Sequence, residues 1–339
     1  MTPSTYAIVA SNCPDIFKSC LQQLEKQKPF ISEKIVIPWG KQSDEVRKIA
    51  AASKAIILDP GEASCFQDNH NLAIRHIQTN MSLPEYVLFL DDDTFLDDNW
   101  HEHTRIAVAS DKAERCYATV VTHSRYKDTI QAAGHFIRKK GRPHDLWYDK
   151  KIENISCLLR DLSPYKPLCP CANCALIPWK ALEKIKAKDV EVWDPRFGRW
   201  QGCFDFGLKL RLVGYDCRVM EASRAYHHGY QERCHEGIRL LSRQEVMSQL
   251  QSRILLYHKF YPANEYQEAM ENLEVTMTTK WTRNRYPCAD HEIRKEITCI
   301  YKGARRKAER LFQENPNTVW LELVTKLEQE DRRSLLLGV

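Results

Sequence analysis

The sequence predicts an α/β protein: a mixed sheet flanked by helices, followed by a helical C-terminal extension. Three observations predict it. Four short, nearly continuous apolar runs open the chain, helical periodicity lies between them, and apolar residues at helical spacing dominate from about Gly237 onward. Continuous rather than alternating runs suit parallel strands covered on both faces.

YAIVAS (Tyr6–Ser11) reads as the first strand and PDIFKSCLQQL as the helix behind it, with Ile16, Phe17, Cys20, Leu21 and Leu24 on one face after Pro14. KIVIP (Lys34–Pro38) and KAIILD (Lys54–Asp59) read as the second and third strands. Leu72, Ala73, His76 and Ile77 mark a helix before the fourth strand, EYVLFLD (Glu85–Asp91). Beyond Trp100, CYATVVTH (Cys116–His123) and TIQAAGHFIRKKGRPH (Thr129–His144) read as strands with a turn at Gly141, and the polar stretch 150–167 as loop. CANCALIPWKALEKI (Cys171–Ile185) runs from strand into helix, and an aromatic, glycine-rich loop precedes a short helix around Leu208–Leu212. Val246, Leu250, Ile254 and Tyr257 keep helical spacing, as do Trp320, Leu323, Val324 and Leu327. A boundary near residue 235 separates an α/β domain (1–235) from a helical extension (236–339).

Composition narrows the class. The 339 residues are 43% hydrophobic and 28% charged, as in ordinary globular proteins. A net charge of +5 is too small an excess to indicate nucleic-acid binding. Thirteen cysteines, an odd number irregularly spaced, and an opening MTPSTYAIVAS without an export-type apolar region point to a reduced, cytoplasmic protein. No apolar run approaches the roughly 20 residues that span a bilayer.

One stretch concentrates chemistry. EYVLFLDDDTFLDDNW drives an apolar run into Asp91, Asp92 and Asp93. Adjacent carboxylates repel, and each resists leaving water unless a cation or hydrogen-bond donors meet it. βαβ sheets bind ligands at the carboxyl ends of their strands, where these residues stand, so a divalent metal with hard oxygen ligands is the favoured reading. The pair Asp97–Asp98 reads as solvated loop. Neither G-x-G-x-x-G nor G-x-x-x-x-G-K-[ST] follows the first strand, which removes the usual dinucleotide and P-loop signatures.

Together with VWDPRFGRWQGCFDFGLKLRLVGYDCRV and YHHG further on, the Asp-Asp-Asp strand resembles the inverting family-two glycosyltransferases of the GT-A fold. The resemblance runs from Tyr6 to about Tyr230. It implies transfer of a hexose-type sugar from a nucleoside-diphosphate donor (UDP- or dTDP-type) to a hydroxyl on a glycan, lipid-linked or protein acceptor. Mn²⁺ or Mg²⁺ would assist as a Lewis acid. Carried over by motif, Asp93 ligates the metal, Asp91 faces the ribose or base, and Asp92 supports them. Ser11, Asn12 and Asn71 fall near the nucleotide, and Asp59 ends the third strand as an acidic residue does in relatives. Asp205 matches the catalytic base, with a helix N-cap as its alternative. His227 or His228 falls beside the metal or diphosphate, or is simply a polar strand terminus. Trp200 and Asp194 would face the acceptor, while Trp193 and Phe197 suit packing as well. Departures are Phe204 where many relatives carry Glu, Pro38-Trp39 where they carry an acid, and His70 where they carry Arg.

A sugar nucleotidyltransferase is the rival within this fold, but SNCPDIF lacks the glycine-rich basic loop a triphosphate needs. A non-catalytic nucleotide- or carbohydrate-binding module is the rival outside catalysis. Cys169, Cys171 and Cys174 lack the second C-x-x-C of a zinc site and suit buried free thiols. Arg305, Arg306, Lys307 and Arg310, next to Leu311 and Phe312, suit a solvated helix face and secondarily a peripheral membrane contact.

Overall fold

The computed structural model describes residues 3–337 except 29, 62–64, 139–140, 161–166, 199, 229–242, 277–290, 315 and 317. The opening series is β1 (Thr5–Ser11), α1 (Pro14–Lys26), β2 (Ile31–Pro38), α2 (Ser43–Ala52), β3 (Ile56–Ile57), α3 (Phe66–Asn80) and β4 (Tyr86–Asp91). After it come β5 (Thr94–Leu96), α4 (Trp100–Ser110), β6 (Cys116–His123), β7 (Ile130–Ala132), β8 (His135–Arg138), β9 (Arg142–Asp145) and α5 (Ile155–Arg160). Then follow β10 (Cys174–Pro178), α6 (Trp179–Lys186), α7 (Gly202–Leu212) and β11 (Cys217–His227). The C-terminal helices are α8 (Arg243–Phe260), α9 (Ala263–Val275), α10 (His291–Glu314), α11 (Val319–Thr325) and α12 (Gln329–Leu337).

The main sheet has the order β3-β2-β1-β4-β10-β6-β11-β5, with β7 added to β6. Strands β3, β2, β1 and β4 run parallel, as their uninterrupted apolar runs predict; β10 turns antiparallel to both β4 and β6. The period of two along a strand sends alternate residues to opposite faces. On β1, Ala7 and Val9 pack with Phe17, Leu21 and Leu24 of α1, while Tyr6 and Ile8 face the cluster that holds Ile74 and Ile77 of α3.

That second cluster also contains Val246, Leu250 and Ile254 of α8, Trp320 of α11 and Leu336 of α12. The helical extension thus shares one core with the sheet. The expected boundary near residue 235 lies outside the described residues. Two details differ from expectation. The stretch expected as loop contains α5, which buries Ile155, and α7 begins at Gly202 rather than near Leu208. No helix among the described residues is long and apolar enough to cross a membrane.

Candidate functional site

β4 ends at Asp91, and a two-residue turn (Asp92–Asp93) leads into β5. β5 pairs antiparallel with the end of β11, so Thr94 lies opposite His227 and the amide of His228 donates to Asp93 O at 2.8 Å. This register brings residues 134 positions apart (227 − 93) into contact: His227 Nε2 lies 3.0 Å from Asp93 Oδ1. Ligand atoms of Asp91, Asp93 and His227 all lie within 4.8 Å of one another, the only such group among the described residues.

Neighbours orient the group. Gln131 of β7 meets His227 Nδ1 through Oε1 at 2.9 Å. An amide oxygen accepts, so Nδ1 carries the proton and Nε2 faces the carboxylates. Ser11, at the end of β1, donates from Oγ to Asp92 Oδ2 at 2.6 Å. Burial and the charge of Asp93 push the Asp91 carboxyl up to about 7. Burial raises Asp92 to about 6, against the bond from Ser11. Asp93 is held below the usual carboxylate range because the bond and charge of His227 outweigh burial. His227 in turn is raised, since Asp93, Asp91 and Asp92 outweigh its own burial. Sequence reasoning missed Gln131; nothing in IQA distinguishes it from any half-buried strand residue.

Other residues expected at the site have different surroundings. Asn12 borders the acidic turn through its backbone amide, which bonds Asp92, while its side chain is exposed beside Gly40. Asp59 is exposed and pairs with Arg47 at 3.1 Å while accepting from the amide of Gly61. Asn71 is buried, its amide donating to Trp193 O at 2.7 Å and accepting from Trp193 N at 3.0 Å; it ties α3 to the loop before α7. Trp193 is buried and stacks on Phe206 with centroids 4.3 Å apart, and Phe197 is buried as well. Trp200 is half-buried just before α7.

Asp205 and Asp194 require correction. Asp205 is fully buried, with Lys259 Nζ 2.6 Å from Oδ1 and Lys209 Nζ 3.3 Å from Oδ2. It lies in the first turn of α7, whose N-cap is Gln201, so it is not the cap either. A carboxylate fully buried between two ammonium groups is out of reach of an acceptor hydroxyl. Asp194 accepts from Arg196 and lies 2.8 Å from Lys259, also buried, which removes it from an acceptor surface. With Asp189, 2.9 Å from Lys209, these residues form an internal lattice of three carboxylates, two lysines and Arg196. Each carboxylate expected of the motif has a partner delivered by α7, α8 or the short helical turn after Asp194, information that a local motif does not contain.

Of the cysteine run, Cys171 hydrogen-bonds His135, while Cys169 and Cys174 have other partners. Cys174 Sγ donates to Thr119 at 3.2 Å, Cys169 Sγ donates to Cys203 O at 3.1 Å, and all three cysteines are free thiols. On α10, Arg305 and Arg310 each pair with a glutamate one turn on, Glu309 and Glu314, both at 2.8 Å. That compensation weakens the basic face that a membrane contact would use.

A mixed sheet with parallel β3-β2-β1-β4, an acidic turn after β4 and a helix-covered second half defines a GT-A fold. One solved structure supports the fold, and two others are more distant. GalNAc-T7, solved with UDP, GalNAc and Mn²⁺, superposes with a TM-score of 0.56 at 11% identity, over 93% of this chain and 58% of that one. The mannosyltransferase PcManGT from Pyrobaculum calidifontis, with GDP-Man and Mn²⁺, gives 0.49 at 12% identity over 95% and 84%. Glucosyl-3-phosphoglycerate synthase from Mycobacterium tuberculosis, with Mn²⁺ and UDP-Glc, gives 0.35 at 11% over 54% and 58%. The likeness is one of fold, and the chain spans 58% of the length of the first of these. No protein-family model matches the chain, and no curated protein is similar to it in sequence.

Proposed function

We propose that the protein is a metal-dependent glycosyltransferase that moves a hexose-type sugar from a UDP- or dTDP-type nucleoside-diphosphate donor to an acceptor hydroxyl. One observation carries the reading: Asp91, Asp93 and His227 converge within 4.8 Å at the carboxyl end of β4, on a GT-A fold.

The donor set suits a divalent cation. Two carboxylates supply hard oxygen ligands, and the imidazole favours a first-row transition ion such as Mn²⁺ over Mg²⁺. Asp91, Asp93 and His227 would hold the ion, and the ion would supply Lewis-acid neutralisation of the charge that grows on a departing diphosphate. Gln131 keeps the His227 ring turned with Nε2 inward. Ser11 keeps Asp92 fixed beside the ligands. Inversion by single displacement would need an open base on the acceptor side, and Asp205, closed between Lys209 and Lys259, does not supply one.

Thermal-shift titration with nucleoside diphosphates, with and without Mn²⁺, tests the reading, since a bound ligand stabilises by mass action. A Mn²⁺-dependent rise with UDP or dTDP, lost in Asp93→Asn, is expected. Activity is read as Mn²⁺-dependent release of nucleoside diphosphate from a UDP-hexose. Equal Mn²⁺-dependent affinity in Asp93→Asn would sink the assignment of the centre.

A further inference from the structure

A second concentration of charge lies on the β8–β9 hairpin. The strands pair antiparallel, with Arg138 directly opposite Arg142. Like charges facing each other across a ladder are unfavourable. Gly141, just before Arg142, rests on α8: Tyr257 Oη donates to Gly141 O at 3.1 Å. Gly141 does not tolerate a side chain, because its left-handed backbone (φ +70) and the Tyr261 ring, 3.2 Å from where a Cβ would stand, both demand glycine.

Arg253 lies one helical turn before Tyr257 on α8, near enough to Arg142 for its charge to act there. Partial desolvation, with the positive charges of Arg253 and Arg138, holds the pKa of the otherwise exposed Arg142 below its usual range. No carboxylate offsets this repulsion: among the described residues, Arg138, Arg142 and Arg253 form no ion pair, and Arg253 Nε is buried without a hydrogen-bond partner. Lys139 and Lys140, between the two hairpin arginines in sequence, lie outside the described residues.

We propose that Arg138, Arg142 and Arg253 form a binding site for a phosphate-monoester dianion. Planar guanidinium forks match phosphate oxygens bidentately, which a cluster of lysines would not do. A dianion also answers the charge better than a carboxylate, which would neutralise only one of three cations. The site is separate from the Asp91–Asp93–His227 centre and does not depend on the glycosyltransferase reading.

Calorimetric titration of the full chain with glycerol 3-phosphate, in EDTA to remove divalent cations, tests the proposal. Saturable one-to-one binding is expected, weakened about tenfold or more in Arg142→Gln, because hydrogen bonds to charged groups are among the strong ones. Arg142 is exposed, so this variant should fold; without phosphate its melting temperature should equal or exceed that of the unsubstituted protein, since a repulsion has been removed. Arg253→Gln should weaken binding likewise, and Asp93→Asn should bind as the unsubstituted protein does. Vesicles of phosphatidylcholine doped with phosphatidic acid form the second arm: Arg142-dependent binding to these alone identifies the phosphate as lipid-borne. Binding in neither arm, or binding undiminished in both arginine variants, overturns the proposal.

Discussion

At the scale of single residues, chemistry depends on what each carboxylate faces. Asp93 faces an imidazole, and Asp205 faces two lysines. Removing the charge of Asp205 leaves those lysines with one anion fewer in a closed site, so Asp205→Asn should destabilise by about 3–5 kcal/mol, the range for breaking a buried pair. Denaturant unfolding checks this; a variant of unchanged stability with lost transfer would restore Asp205 as a base. Gln131→Leu should weaken Mn²⁺ binding about 10–100-fold, the usual cost of losing an outer-shell partner. Its metal-free melting temperature should move little, and a Mn²⁺ titration decides. The acidic strand end was legible because three adjacent aspartates behind an apolar run have few uses. The partners of Asp205, Asp194 and Asn71 were not legible, because Lys259 and Trp193 reach them from distant elements.

At the scale of elements, close packing sets what α7 tolerates. A Cβ at Gly207 would stand 2.5 Å from Cys169 Sγ and 2.8 Å from its Cβ, so α7 lies against the Cys169 segment with no room for a methyl group. Gly207→Ala should cost about 1–3 kcal/mol by overpacking, measured by denaturant unfolding. Cys169→Ala in the same chain should recover part of that loss by vacating the Sγ position. The helix itself was expected only around Leu208–Leu212, because its first turn, GCFD, lacks a capping residue and carries Gly202. The parallel strands were easier to read, since burial on both faces leaves uninterrupted apolar runs. Of the pair Asp97–Asp98, expected to be solvated, Asp98 is exposed with Lys26 of α1 2.8 Å away at the surface, whereas Asp97 anchors elements by accepting from Tyr226 at 2.9 Å and from the amide of Asn99.

At the scale of the whole molecule, the C-terminal helices close the face of the sheet and complete the internal ion lattice. Lys259 of α8 meets Asp194 and Asp205, while Trp320 of α11 donates to Asp189 at 2.8 Å. Asp189 and Asp194 are both held below the usual carboxylate range, because the nearby lysines outweigh burial. A depressed folded-state pKa contributes stability that is present above the unfolded value, near 3.9, and lost as pH falls towards the folded value. Stability should therefore decline below about pH 4, and Asp194→Asn should flatten that acid limb while lowering stability at neutral pH. The same architecture bears on the division at residue 235. Val246, Leu250, Ile254, Trp320 and Leu336 belong to the cluster that holds Ile8, Ile37 and Phe89 of the sheet. A chain ending at residue 242 would expose that apolar face and leave Asp205 and Asp194 without Lys259. It should bind a hydrophobic dye and show no cooperative melting, whereas the full chain should unfold in one transition, coincident by circular dichroism and tryptophan fluorescence. A truncated chain that melts cooperatively near the full-length temperature would establish residues 1–235 as a domain in their own right.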